Sequence, residues 1–236
     1  VPIVAYIRCR YGRDSIARMS FTSPVVNCIH PVNQGFGYAI NVDSFNETGV
    51  FTVTTQSFDE TTTEPQTFMV DNIQVSVEFS ISRKLSTKLN EPPITLSSSM
   101  LFEFAPTNDY RLIFRLWSVA KQFLQYLCYR RNIILPEVAL FAPADGGKYE
   151  EFATMYVLNE AGDDESSTLK SGRYIQQKYL AGTEGKILSD IASGMLYLRH
   201  LPQTYQRGRT IDAARFIMIT AAFEWEYKRN FPDGVP

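Results

Sequence analysis

The feature that most constrains this chain is a change of hydrophobic period near Pro106. Before it, Ile73, Val75, Val77, Phe79 and Ile81 alternate with Gln74, Ser76, Glu78, Ser80 and Ser82. A period of two sends one set of side chains into a core and the other toward water, as in a half-covered strand. After it, Leu112, Leu116, Val119, Ala120, Phe123 and Leu127 recur at helical spacing between Asp109 and Arg131. Asn108 reads as the N-cap of this helix, Asp109 suits its positive end, and Arg130 and Arg131 suit its negative end. Trp117 and Tyr126 fall off the stripe, which predicts packing against more than one surface.

Other strand-like runs surround the helix. GVFTVTTQSF is rich in β-branched residues, Leu101 to Phe104 closes the series before Pro106, and apolar runs follow at 133–141 and 152–158. Turn formers stand between the runs: Asn33 and Gly35, Asn46 and Gly49, Asp71 and Asn72, and Asn90 to Pro93. The expected fold class is α+β, with an antiparallel β-rich domain, sandwich- or barrel-like, over residues 1–158 and an inserted helix over 109–131. An acidic, small-residue stretch (NEAGDDESSTLKS) lies within an expected linker, 159–185. Residues 186–236 then carry two helical signals, 186–200 and 209–229. The second bears Ile211, Ala214, Met218, Ala222 and Trp225, and also Phe216, Ile219 and Phe223 on other faces. A helix apolar nearly all round requires cover, which one preceding helix does not supply. The expectation is therefore the start of an incomplete helical bundle, completed by helices beyond Pro236 or by a second copy in a homodimer.

With a net charge of −2, the chain has no global positive field to recruit nucleic acid or an anionic membrane. Three scattered cysteines, Cys9, Cys28 and Cys128, make no disulfide framework and read as free buried thiols in a reducing compartment. The apolar N-terminal stretch is too short for a signal peptide, and no run reaches the roughly 20 apolar residues of a membrane span. Asn46-Glu47-Thr48 fits a glycosylation sequon, but nothing else points to secretion, so a cytoplasmic protein is expected. The absent initiator Met and abrupt end suggest a fragment.

No chemistry-bearing motif stands out. Cys28-Ile29-His30 with distant Cys9 lacks the paired spacing of a zinc knuckle, so no metal site is expected. His30 and His200 are the only histidines, and there is no Gly-x-Ser-x-Gly elbow. His200 reads as a cation at a helix end. Gly182-Thr183-Glu184-Gly185-Lys186 imitates a phosphate loop, but Ile187 stands where Ser or Thr is required; it reads as the approach to a helix. Asp163, Asp164 and Glu165 are explained by solvation in the linker. One basic cluster, Arg207 and Arg209 with Arg199 nearby, is the candidate phosphate- or RNA-binding site, set before a helix N-terminus. A rival reading makes the β domain a carbohydrate- or peptide-binding sandwich using Phe36, Tyr38 or Phe58. A third, an unfamiliar enzyme, would place acids such as Glu103 or Asp43 in a deep pocket. No cofactor is expected.

The order of parts resembles a known family. The strand-rich region ends in LSSSMLFEFAPTNDYRLIFRLWSVAKQFLQYLCYRRNIILPEVALF, and a later segment carries RFIMITAAFEWEYKRNF. This layout is similar to ApeA-type bacterial abortive-infection proteins, in which a β domain precedes a helical HEPN domain, with Glu224 and Tyr227 at the most recognisable positions. The resemblance implies a phage-defence role, with RNA or a phage component as partner of the whole protein. HEPN ribonucleases of this kind use an Arg, four to six residues and a His. Here such an Arg would fall at 23–25 or 193–195, which are Ser23, Pro24, Val25, Ser193, Gly194 and Met195. The motif is missing, so the resemblance implies a non-catalytic sensing or regulatory portion whose nuclease centre would lie beyond Pro236.

Overall fold

The computed structural model describes residues 4–12, 15–39, 46–49, 52–158 and 172–234, with side chains at 38, 39, 52, 53, 58, 206 and 230 outside that description. The fold is α+β and antiparallel. Seven strands form one sheet: β1 (Ala5–Cys9), β2 (Ile16–Thr22), β5 (Gln66–Val70), β6 (Ile73–Leu85), β7 (Ile94–Thr107), β8 (Glu137–Ala144) and β9 (Lys148–Val157). Their order is β1-β9-β8-β2-β7-β6-β5, and a separate pair joins β3 (Phe36–Ala39) to β4 (Thr52–Thr55). Helices α1 (Pro24–Ile29) and α2 (Phe58–Thr61) are short connections.

The predicted alternation sets the face of β6. Val75, Val77, Phe79 and Ile81 are buried, and β7 pairs with them from Val75 opposite Phe104 to Leu85 opposite Ile94. The β5–β6 hairpin turns on Asp71 and Asn72, both left-handed (φ 47° and 67°), as a two-residue hairpin loop requires. Phe102 stacks edge-on against Phe21 and Phe68, with ring centres 5.1 and 5.0 Å apart.

Helix α3 (Tyr110–Cys128), rather than a second sheet, completes this core. Leu112, Leu116, Val119, Ala120, Phe123 and Leu127 are all buried, as the stripe predicts, and Trp117 and Tyr126 pack partly buried at its margins. Its ends differ from expectation. Asp109, not Asn108, is the N-cap, because its carboxylate accepts from Arg111 N (2.9 Å). The helix stops before Arg130, which turns back and is buried, so neither arginine sits in the last turn. Ile133 and Leu135 are also buried, but in an irregular segment; β8 begins only at Glu137.

Helix α4 (Glu184–Ala192) is shorter than the period over 186–200 implies. Gly194 (φ 70°) ends that run in a left-handed turn, leaving Leu198–His200 as a 3-10 turn, so His200 is at no α-helix end. The helix docks on edge strand β5. Leu188 and Ile191 join the main core, Ser189 Oγ accepts from Met69 N (3.3 Å), and Arg115 of α3 donates to Ala192 O (2.5 Å). Covering β5 removes one exposed sheet edge.

A short helical turn, α5 (Tyr205–Gly208), leads to α6 (Ala213–Asn230). Asp212 caps α6 by accepting from Arg215 N (2.7 Å). One face meets the body: Ala222 is buried, Trp225 Nε1 and Arg229 each donate to Met195 O (3.2 Å), and Arg229 pairs with Asp190 (3.2 Å). The opposite face is bare, with Phe216 63% and Phe223 70% exposed and Tyr227 and Phe231 also open to solvent. The cover that the sequence demands for this helix is not supplied by the described residues. Among those residues no helix is long and apolar enough to cross a membrane.

Candidate functional site

The chain leaves α3 through Tyr129, a left-handed residue (φ 48°) whose N–H donates to Tyr126 O (3.1 Å). A non-glycine residue adopts that conformation at a cost of about 1 kcal/mol, and such strain tends to collect at functional sites. Beside this exit lies a cavity of about 570 Å³, bounded by α3's last turn, residues 172–175 and the segment 202–209. Tyr126, Tyr129, Tyr174 and Tyr205 contribute its aromatic walls, and Arg173 and Arg209 its charge. Arg173 lies over the Tyr205 ring at 3.9 Å. No acidic side chain lines the cavity among the described residues. Size and composition are those of a small-molecule site: mostly apolar surface with a few placed polar groups.

Of the three thiols expected to be buried, Cys9 is exposed, Cys128 lines this cavity, and Cys28 reaches it only through a hydrogen bond with Tyr174. Burial pushes the Cys128 thiol up to about 12 despite the pull of Arg130. Burial also raises Cys28, against an opposing hydrogen bond from the Tyr174 hydroxyl and the Arg130 charge. Neither is a thiolate near neutrality, so neither is an activated nucleophile.

The cavity is physically tied to α6 by two routes. Tyr129 packs on His200 (5.7 Å between ring centres), His200 on Tyr197 (6.4 Å), and Tyr197 on Trp225 of α6 (6.3 Å). Arg215, in α6's first turn, donates to Gly208 O (2.5 Å) and Thr210 O (2.6 Å), which grips the strand of chain that carries Tyr205 and Arg209.

A second polar cluster lies on the face of the sheet opposite the core. Arg18 of β2 stands across from Glu103 of β7, pairs with its carboxylate (2.6 Å) and covers the Tyr149 ring at 4.1 Å. Burial pushes Glu103 up, but hydrogen bonds from Tyr149 and Arg18 outweigh it and hold its carboxyl below the usual range. Nearby Glu78 is raised, chiefly by burial. Two carboxylates pushed apart in this way are a feature of acid–base sites. Here, however, Glu103 is locked in an ion pair, which a structural cross-strand contact explains fully.

The residues singled out from sequence scatter. Arg209 lines the tyrosine cavity; Arg199 lines a different depression with Trp225; Arg207 is exposed and lines neither. The α6 N-terminus, expected to receive a phosphate, already holds the Asp212 carboxylate. His30 is buried, and its Nε2–H donates to Thr61 O (2.9 Å). No group of three or more Cys, His, Asp or Glu residues suited to a metal occurs among the described residues. Phe36 is half-buried, while Tyr38 and Phe58 side chains, Asp43, and Asp163, Asp164 and Glu165 lie outside the described residues. The cavity tyrosines were missed because they come from three separate stretches, the end of α3, 172–175 and 202–209; the Arg-Gly-Arg at 207–209 was the one visible signal. Comparison with known proteins adds no identity: no family model matches the chain, and neither does any curated protein or solved structure.

Proposed function

We propose that this chain is a non-catalytic sensing and regulatory module, the N-terminal portion of a HEPN-type phage-defence protein, which acts on a helical effector through the bare face of α6. The observation that carries the reading is that face. Phe216, Phe223, Tyr227 and Phe231 succeed one another at helical spacing, and the Phe223–Tyr227 and Tyr227–Phe231 ring centres are 6.2 and 5.2 Å apart. With these exposures the four rings present on the order of 400 Å² of apolar surface, a size at which patches mark interaction sites. Covering it would contribute on the order of 10 kcal/mol before association costs. A straight aromatic stripe on a helix suits the groove of another helix. The HEPN and phage-defence assignment is supported by the resemblance in layout. The lack of an Arg-x4-6-His motif in the sequence supports a regulatory rather than a catalytic part.

The test is a plaque assay in a phage-sensitive bacterium carrying the gene, with transfer RNA integrity followed during infection. Phe223→Asp with Phe216→Asp should abolish protection and RNA cleavage while the protein still accumulates. Full protection by that double variant refutes the reading.

A further inference from the structure

We infer that the open edge of β1 takes a second copy of this chain, whose own β1 runs antiparallel to it, so that one sheet continues through both molecules. The two outer strands of the sheet are treated differently. Strand β5 is covered by α4, whereas β1 has β9 as its one neighbour among the described residues. Val4 O accepts from Leu158 N (2.8 Å), Arg10 N donates to Phe152 O (2.7 Å), and the register between them runs without a shift. Alternation along an antiparallel strand then turns the N–H and C=O of Ala5, Ile7 and Cys9 away from β9. Such a row of main-chain groups is a template for another strand.

The β1 sequence fits itself in one register. With Ile7 opposite the partner's Ile7, Ala5 meets the partner's Cys9 and Cys9 the partner's Ala5, and each of these three pairs exchanges two hydrogen bonds. Ala5 and Ile7 pack against the core, so the two Ile7 side chains meet as its continuation. On the other face Tyr6 falls opposite the partner's Arg8. Tyr6 stacks on Tyr156 of β9 (4.9 Å between ring centres) yet is 54% exposed, and Arg8 is exposed with no ion pair among the described residues. A guanidinium over an open tyrosine face is a favourable contact. Sliding the copies by two residues either way centres the pairing on Tyr6 or on Arg8. Each slide leaves two hydrogen-bonded pairs within β1, and the second sets arginine against arginine. The pairing engages no residue of α6, so it stands apart from the regulatory reading above.

Ala5→Cys in the otherwise unaltered chain tests the register. Opposed hydrogen-bonded residues have Cα atoms about 5.5 Å apart, within reach of a disulfide. Positions 5 and 9 of one strand are about 13 Å apart and cannot join within a chain. Mild oxidation should therefore link position 5 of one copy to Cys9 of the other, at least about tenfold faster than any dimer forms in the wild type, whose Cys9 thiols are held apart. Ile7→Pro removes the central N–H at a position where an edge strand tolerates proline. It should weaken self-association in sedimentation at least about tenfold. A wild-type chain that stays monomeric at high micromolar concentration, or Ala5→Cys that links no faster than wild type, overturns the inference. So does a dimer that Phe223→Asp dissolves and Ile7→Pro leaves intact, since the second copy would then sit on α6.

Discussion

Substituting Gly185 with Ala distinguishes a docked α4 from a helix belonging to a separate unit. On propensity alone the change should help, since Ala is favoured over Gly in a helix by about 0.5–1 kcal/mol. The structure reverses that sign. A β-carbon at position 185 would fall on the carbonyl oxygen of Thr67 in β5, with the carbonyl carbon 3.1 Å and the backbone nitrogen 3.4 Å away. These are main-chain atoms of a paired strand and do not swing aside. Forcing a methyl group into such a contact costs about 1–3 kcal/mol. It would also strain the contacts made by Leu188 and Ile191 and the Met69–Ser189 hydrogen bond. The net expectation is a loss of about 1–2 kcal/mol, read as a lower urea midpoint at unchanged slope in circular dichroism. Equal or higher stability would refute the docking of α4 on β5 and return it to an independent helical unit.

Further expectations follow from the core and its titrating groups. Phe123→Ala, at a fully buried position, should cost about 3–5 kcal/mol in urea unfolding, whereas Phe216→Ala on the bare face of α6 should stay within about 0.5 kcal/mol; similar losses at both sites would contradict the assigned burial. Burial lowers the His30 pKa below its ordinary 6.5, despite the Thr61 hydrogen bond. The unfolded chain then takes up the proton first, so this contribution to stability is complete above pH 6.5 and lost as pH falls below it. A pH 5–7 stability series should therefore show a slope that His30→Gln flattens. Burial and the Glu103 hydrogen bond push Tyr149 up to about 12, so ultraviolet titration should show a late-ionising tyrosine that disappears in Tyr149→Phe. An unchanged slope in His30→Gln would count against the burial of that imidazole, and an unchanged titration in Tyr149→Phe would count against the half-buried, Glu103-bonded setting of that phenol.

Much of the sheet was legible because local rules and tertiary packing agree there. Alternation along β6, the Asp71-Asn72 turn and the α3 stripe each rest on one residue's position relative to its near neighbours. Strand order was not legible: β2 sits between β7 and β8, far from β1 in the sheet, because nonlocal packing decides register. Helix ends misled for a local reason. Gly194 and the left-handed Tyr129 break runs whose apolar residues keep their spacing. For the candidate site almost nothing was legible, since Tyr126, Tyr129, Tyr174 and Tyr205 converge only once α3 and the 202–209 segment are packed. The all-round apolarity of α6 was plain in the sequence, and what the structure adds is its direction: Ala222 and Trp225 toward the body, Phe216 and Phe223 away.

Thiol labelling tests that direction most directly. In the purified chain at low concentration, Phe223→Cys should react with Ellman's reagent as readily as exposed Cys9, while Ala222→Cys, one residue away, stays as slow as buried Cys128. A Phe223→Cys thiol that is inert in a monomeric sample would mean the stripe is already covered by its own chain, and the proposed effector contact would have no surface to use.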